Sequence, residues 1–283
     1  MNQIHQLRLA QGTEVKVVGK DYRGLRAEIR FSATERDGWF WRPFPRGPLL
    51  PIEIGLARYY PPFGFIYLRH GWYSLAVYEH VGAPVFTGLT GIIVEGTAHP
   101  PYHGRALELW EALNREALEH GGDARWCRPV EAVEWRYPNE GRGRERYTRF
   151  EPHTDIDNHS LDVEILSDYP GIGALTKHFS FPADSAVLNR SFRVHAQGFP
   201  KWKRPVARIA SYLGWPHFNC VTWPSDYSGE EAIERFVLHR LTDVLGAFSL
   251  VSHNRLPAGR ITSIRSGHLG DLEVLRRARF APC

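Results

Sequence analysis

Alternating apolar and polar positions predict strands in both halves of the chain. Residues 14–32 alternate around a Gly/Asp turn, which is typical of a strand–turn–strand unit. The apolar run GIIVEG at 91–96 indicates a buried strand, and the alternation begins again over 130–166. The Trp/Pro-rich segment 38–52 cannot be a helix interior, because its prolines remove amide donors and clash with the preceding turn.

Helical periodicity predicts one clear helix, over about 229–248, and three weaker ones. Two short candidates cover 74–81 and about 182–192. The segment 104–120 should end at the Gly-Gly that follows it. The apolar residues that lie near one face of this segment are Leu107, Trp110, Leu113 and Leu118.

The order of these elements indicates a duplicated plan. Strands followed by one or two helices occur twice, which favours an α+β fold built from two similar domains. The division falls near residue 124, so the expected domains are 1–124 and 125–283.

Composition narrows the class of protein. No apolar run reaches the roughly 18 residues of a transmembrane helix, and the N-terminus lacks a signal-peptide pattern, so we expect a cytoplasmic protein without a membrane span. The net charge of +4, from 35 basic and 31 acidic residues, disfavours nucleic-acid binding. Cys127, Cys220 and Cys283 show no CxxC spacing, so any metal would be held by histidines and carboxylates.

Two motifs offer candidate metal ligands. His239 and Asp243 are four residues apart on the predicted helix, so both side chains emerge on one face and can share an ion. Glu79 and His80 are adjacent, which would place a proton acceptor beside a ligand. Taken alone, neither pair is distinctive. A His–Asp spacing of four arises readily by chance, and a solvent-facing Glu beside a hydrogen-bonded His is the favoured interpretation of Glu79 and His80.

Other histidines are less distinctive. Gly267 allows a close backbone approach, so His268 could be presented at the mouth of a pocket, although in isolation a loop histidine is the favoured interpretation. His195, His217 and His253 lie near the segments above, and we interpret them as supporting or structural residues.

Together and in order, these pieces resemble the zinc-dependent UDP-3-O-acyl-N-acetylglucosamine deacetylases of lipid A synthesis. The resemblance extends over nearly the whole chain. It rests on YEH at 78–80, FVLHRLTDVLG at 236–246, HN at 253–254 and SGH at 266–268, with support from GIIVEG at 91–96, DYPGIG at 168–173 and FNC at 218–220.

The resemblance implies a zinc ion held by His80, His239 and Asp243. It implies that Glu79 is the general base and that His268 is the general acid or oxyanion partner. The fold it implies has a mainly antiparallel sheet in each domain, with helices packed between the two sheets. The first domain would supply Glu79 and His80, and the second domain would supply the other three residues.

Four positions depart from the family pattern. Ala196 replaces a Thr that contacts the scissile carbonyl, and Arg240 replaces a Lys, which is not an equivalent donor. Ala247 replaces an Asp that orients the catalytic histidine, a role that Asp271 could take over. Trp215 stands beside the expected acyl-chain tunnel, where an indole should narrow the passage.

These features predict a zinc-dependent deacetylase that removes an N-acetyl or N-acyl group from an amino sugar or sugar nucleotide, a small-molecule substrate without the usual 3-O-acyl chain. Two alternatives stay open at this point. One is a genuine deacetylase of lipid A synthesis, and the other is a catalytically impaired zinc-binding pseudoenzyme. Neither the acyl group nor the oligomeric state follows from the sequence.

Overall fold

The structure is a computed structural model that describes residues 3–20, 26–61, 64–96, 106–138, 145–155, 157–169, 173–194, 229–251 and 254–282. The alternating segments form two five-stranded sheets. The first sheet has the order β2 (Glu14–Lys20), β3 (Arg26–Ala33), β9 (Ile92–Gly96), β4 (Trp39–Arg42) and β5 (Leu50–Pro51). The second sheet has the order β12 (Val133–Arg136), β13 (Tyr147–Glu151), β17 (Gly259–Ile264), β14 (Leu161–Tyr169) and β15 (Gly173–Phe181).

The two sheets have the same topology. Read across either sheet, the four pairings are antiparallel, antiparallel, parallel and antiparallel. In both sheets the central strand is the last of the five in chain order. The first sheet ends at Gly96 and the second begins at Val133, so the duplication expected from the sequence is present. The domain boundary at 124 lies between them and stays a prediction.

The remaining strands form three smaller sheets. A three-stranded sheet has the order β6 (Ala57–Tyr60), β7 (Phe65–His70) and β8 (Tyr73–Leu75). Another has the order β16 (Leu256–Pro257), β11 (Trp126–Pro129) and β18 (Phe280–Pro282). The last pairs β1 (His5–Leu9) with β10 (Ala117–Asp123).

Five α-helices lie in the described part of the chain: α1 (Tyr78–Gly82), α2 (Leu107–Glu116), α3 (Ala186–Phe192), α4 (Gly229–Phe248) and α5 (His268–Arg277). Short 3₁₀ turns cover Ile54–Leu56, Ala83–Thr87 and Ser249–Val251. Within these ranges, no helix is long and apolar enough to cross a membrane.

The helices fill the space between the two five-stranded sheets. Helix α2 packs on β2 of the first sheet, and α4 packs on β14 and β15 of the second. Helix α3 contacts both α2 and α4, and α1 packs against α4 and β7. A single cluster of buried apolar side chains runs through both sheets and these helices. This confirms the α+β architecture expected from the sequence.

Some predicted boundaries were wrong. The helix over 104–120 ends at Glu116, because the chain turns to an extended conformation at Ala117 and continues as β10. Leu118 therefore lies on an exposed strand instead of the apolar helix face. Pairing with β1 overrides the helical pattern there, which illustrates how tertiary contacts outweigh local propensity.

Candidate metal centre

Helix α1 presents two adjacent polar side chains to the interior. Glu79 and His80 are only 2% and 5% exposed. The helix begins after Val77, whose φ of +53° is uncommon for a β-branched residue and stores strain at the entrance to this turn. Tyr78 anchors the helix, because its hydroxyl lies 3.0 Å from Ser249 Oγ in a buried hydrogen bond.

Helix α4 crosses α1 at very close range. A Cβ atom added at Gly246 would lie 1.7 Å from the carbonyl oxygen of Glu79, so only glycine permits this crossing. One turn earlier on α4, Asp243 is 5% exposed. His239 lies a further turn before it, with a side chain that is 13% exposed. The crossing thus brings the adjacent residues Glu79 and His80, from the first half of the chain, close to His239 and Asp243 of α4, from the second half.

The side chains of His80, His239 and Asp243 converge. His80 Nε2 lies 3.3 Å and His239 Nε2 lies 3.7 Å from the same Asp243 oxygen, Oδ1. One ligand atom from each of the three residues lies within 4.8 Å of the other two. A group of this kind could hold a metal ion, as the sequence predicted.

The donor set fits a divalent ion. Ligand atoms about 2.1 Å from a tetrahedral ion are separated from one another by roughly 3.4 Å, close to the two separations measured here. Asp243 Oδ1 is buried and accepts no hydrogen bond within the described residues, so a cation would satisfy it.

The protonation states suit metal binding as well. Burial lowers the pKa of His239 to about 4, which keeps its imidazole neutral near pH 7. Burial opposes ionisation of Asp243, but the imidazoles of His239, His268 and His80 outweigh this and lower its pKa. Neutral imidazoles and an ionised carboxylate are the forms that bind a cation.

Glu79 and His268 border the metal group. Glu79 Oε2 accepts a hydrogen bond of 3.0 Å from the backbone amide of Ile66, which fixes the carboxyl group. His268, the first residue of α5, places Nε2 3.8 Å from Glu79 Oε1 and 3.7 Å from Asp243 Oδ2. Burial, reinforced by the charge of Asp243, raises the pKa of Glu79, and burial lowers the pKa of His268.

Arg240 belongs to a buried ion pair beneath this group. Its Nη1 donates to Asp271 Oδ2 at 2.7 Å and its Nη2 donates to Asp271 Oδ1 at 2.5 Å, while Ser263 Oγ accepts further bonds. Burial alone would lower the pKa of Arg240, but Asp271 outweighs it and raises that pKa. Thr148 donates to Asp271 as well, at 3.2 Å.

Asp271 does not act as the carboxylate that would orient His268 through the Nδ1 atom of its imidazole ring. His268 Nδ1 is buried and makes no hydrogen bond to any described residue. Ala247 is fully buried and cannot supply one. Instead, the position of His268 is fixed through the backbone, because the amide of Gly267 donates to the hydroxyl of Tyr137 at 3.1 Å.

Sequence reasoning did not identify Gly246, Tyr137, Thr148 or Ser263. The first could have been suspected, because a glycine inside an otherwise apolar helix often marks a close backbone approach. The other three become neighbours of the site only through sheet pairing and carry no local signal. Ala196, Trp215 and His253 lie outside the described residues, as do His195 and His217.

Comparison of the chain with models of known protein families and with curated proteins finds no match.

Proposed function

We propose that this chain is a zinc-dependent amide hydrolase that removes an N-acetyl or N-acyl group from an amino sugar or sugar nucleotide. The observation that carries the proposal is the convergence of a buried His-His-Asp group with a second carboxyl group and a third imidazole, all between α1, α4 and α5. The resemblance of the ordered motifs to the deacetylases supplies the substrate class.

His80, His239 and Asp243 would hold the ion. When bound, zinc supplies a Lewis acid that acidifies water and polarises a carbonyl oxygen. Two imidazoles and one carboxylate are a known donor set of catalytic zinc, but the same set also holds non-haem iron(II). Elemental analysis of the purified protein separates the two metals.

We propose Glu79 as the general base. Its carboxyl group is buried and accepts a hydrogen bond from the Ile66 amide, and burial raises its pKa, so it binds a proton more tightly than an exposed carboxylate does. A base of this kind can take the proton of an attacking water and pass it to the departing amine.

His268 also borders the metal group, with Nε2 3.8 Å from Glu79 Oε1, and can donate a hydrogen bond to the oxygen that becomes negative as the amide is attacked. Its lowered pKa means that the imidazole is neutral before substrate arrives, so it serves first as a hydrogen-bond donor. Trp215, by resemblance, would narrow an acyl passage, which is why we propose a substrate without the 3-O-acyl chain.

The test combines metal analysis with acetate release. Purified protein should contain about one zinc per chain and should release acetate from UDP-N-acetylglucosamine. Glu79→Gln should keep the metal, because its amide oxygen can still accept the Ile66 bond, but should lose about 10²–10⁴-fold in rate. His239→Ala should lose the metal, and Glu230→Gln, an exposed acid in the first turn of α4, should change neither.

The outcomes separate the alternatives. Turnover of only the 3-O-acylated nucleotide would identify a deacetylase of the lipid A type and refute the substrate proposed here. Bound zinc without turnover of either nucleotide would identify the pseudoenzyme, which the unsupported Nδ1 of His268 favours. A protein that binds no metal would overturn the proposal as a whole.

A further inference from the structure

The hairpin between β7 and β8 exposes a tryptophan almost completely. Gly71 and Trp72 form its two-residue turn, with Gly71 at a φ of +56° and His70 paired to Tyr73 across the strands. Trp72 is 98% exposed, although it is one of the largest apolar side chains. One exposed side chain carries no conclusion by itself, but a contiguous patch of exposed apolar groups marks an interaction site, so the neighbours of Trp72 decide its meaning.

Two cavities flank Trp72. One has a volume of about 340 Å³ and the other about 650 Å³, both within the range of about 300–1,000 Å³ that small-molecule sites occupy. Both are lined by Trp72, Tyr73 and Ser74. The smaller one lies on the outer face of the β6–β7–β8 sheet, and the larger one extends toward β4 and β9 of the first five-stranded sheet.

Aromatic rings dominate these cavities. Of the seven exposed large apolar residues in the described part of the chain, four are aromatic, and all four line one or both cavities: Phe44, Tyr60, Trp72 and Tyr73. The rings of Phe44 and Tyr73 are in contact, with a centroid distance of 4.7 Å and a tilt of 30° between their planes. We call the surface formed by these four residues the aromatic face.

The four charged side chains that line the larger cavity are paired, whereas Arg69 at the smaller cavity donates to the carbonyl oxygen of Gly71 at 3.2 Å. Arg30 Nε lies 2.6 Å from Glu28 Oε1, and Arg42 is paired with Glu95. These four side chains line the larger cavity and bring no net charge to it. A polyanion such as nucleic acid or an anionic membrane would meet two carboxylates there, whereas an uncharged ligand rich in hydroxyl groups would find both donors and acceptors.

We propose that the aromatic face binds a neutral, β-linked oligosaccharide. Such chains are flat, so the apolar C–H faces of their rings can stack on Trp72 and Tyr73 while their hydroxyl groups reach the paired charges at the rim. Ligand sites combine apolar walls with a few polar groups in this manner. The aromatic face lies outside the metal centre, and the binding does not depend on the amide-hydrolase proposal.

One strand links the aromatic face to the metal centre. On β7, the side chains of Phe65 and Tyr67 line the smaller cavity, whereas the side chain of Ile66 is fully buried. The backbone amide of Ile66 donates to Glu79 Oε2 at 3.0 Å. The same strand therefore lines a cavity of the aromatic face and fixes the Glu79 carboxyl group.

Isothermal titration of the full chain with cellotetraose and with chitotetraose tests the proposal. We expect binding of at least one tetramer, reduced about 10- to 100-fold in Trp72→Ala, the scale of losing one stacked ring. Leu118→Ala is the matched control, because Leu118 is an exposed apolar side chain on β10 and lines neither cavity. The variant should melt at the wild-type temperature, since a side chain that is 98% exposed packs on almost nothing.

Three results would overturn the proposal. The first is the absence of binding to both tetramers. The second is binding that Trp72→Ala and Tyr73→Ala leave unchanged. The third is cosedimentation with phosphatidylglycerol vesicles that Trp72→Ala abolishes, together with no tetramer binding, which would identify the face as a membrane contact. Because every arm measures binding, a failure of the hydrolase assay would not affect these outcomes.

Discussion

Replacing Gly246 by alanine should separate the two halves of the metal centre. The added Cβ would lie 1.7 Å from the Glu79 carbonyl oxygen and 2.7 Å from the Glu79 Cα, and both are backbone atoms that no rotamer change can remove. To reach even 3.0 Å, α1 and α4 must move apart by about 1.3 Å at this point. Metal sites tolerate changes of only about 0.2 Å in ligand distance.

We expect Gly246→Ala to lower the free energy of unfolding, whereas replacing glycine by alanine in a helix usually raises it. Alanine in a helix is normally about 1 kcal/mol more favourable than glycine. Overpacking a buried contact costs about 1–3 kcal/mol, and a clash with backbone atoms lies at the upper end, so we expect a net loss of about 2 kcal/mol and a fall of about 2–4 °C in melting temperature for each kcal/mol. The zinc affinity should fall as well, because His80 moves with α1 while His239 and Asp243 stay on α4.

Differential scanning calorimetry and competitive zinc titration measure the two effects. Gly55→Ala is the control, because a Cβ there meets no atom within 4 Å. If Gly246→Ala melts at or above the wild-type temperature and binds zinc with wild-type affinity, the close helix crossing does not position the ligands and the reasoning is refuted.

Three further predictions concern the charges around the site. Asp271→Ala should destabilise the protein by about 3–5 kcal/mol in urea unfolding, because it leaves Arg240 buried without its partner. The double variant Arg240→Met, Asp271→Leu should recover most of this loss, because it removes both charges. Equal stability of the single and double variants would contradict this. In the metal-free protein, the free energy of unfolding should rise between about pH 4 and pH 6.5 and then level off, because in this range His239 binds a proton in the unfolded chain but not in the folded one. The fall in the pKa of His239 from 6.5 to about 4 corresponds to about 3 kcal/mol. Urea titrations at each pH measure the slope, and His239→Gln should flatten it. Zinc at about 1,000 times its Kd should stabilise the folded chain by about 4 kcal/mol. This should raise the melting temperature, and a chelator should reverse the increase. A melting temperature of the wild-type protein that does not depend on zinc would count against the metal site.

The sequence by itself determined the repeated α+β plan and the candidate ligands. Period-two alternation is a local property that burial of one face imposes on a strand, so β2, β3 and β13 were recognisable before their partners were known, and β9 was recognisable as a short apolar run. His239 and Asp243 could be paired for the same reason, because a four-residue spacing on one helix fixes their relative position without any tertiary contact.

Only the tertiary structure decided which helices, strands and site residues contact one another. Helix crossing at Gly246 brings His80 to within 3.3 Å of Asp243, and no spacing along the chain encodes that distance. Strand pairing turned 117–120 from a helix end into part of β10. The ion pair with Arg240 occupies Asp271, so His268 Nδ1 lacks the support that Asp271 could have given. Long-range packing and burial set these outcomes, because the energies of contact and desolvation depend on neighbours that are distant in sequence.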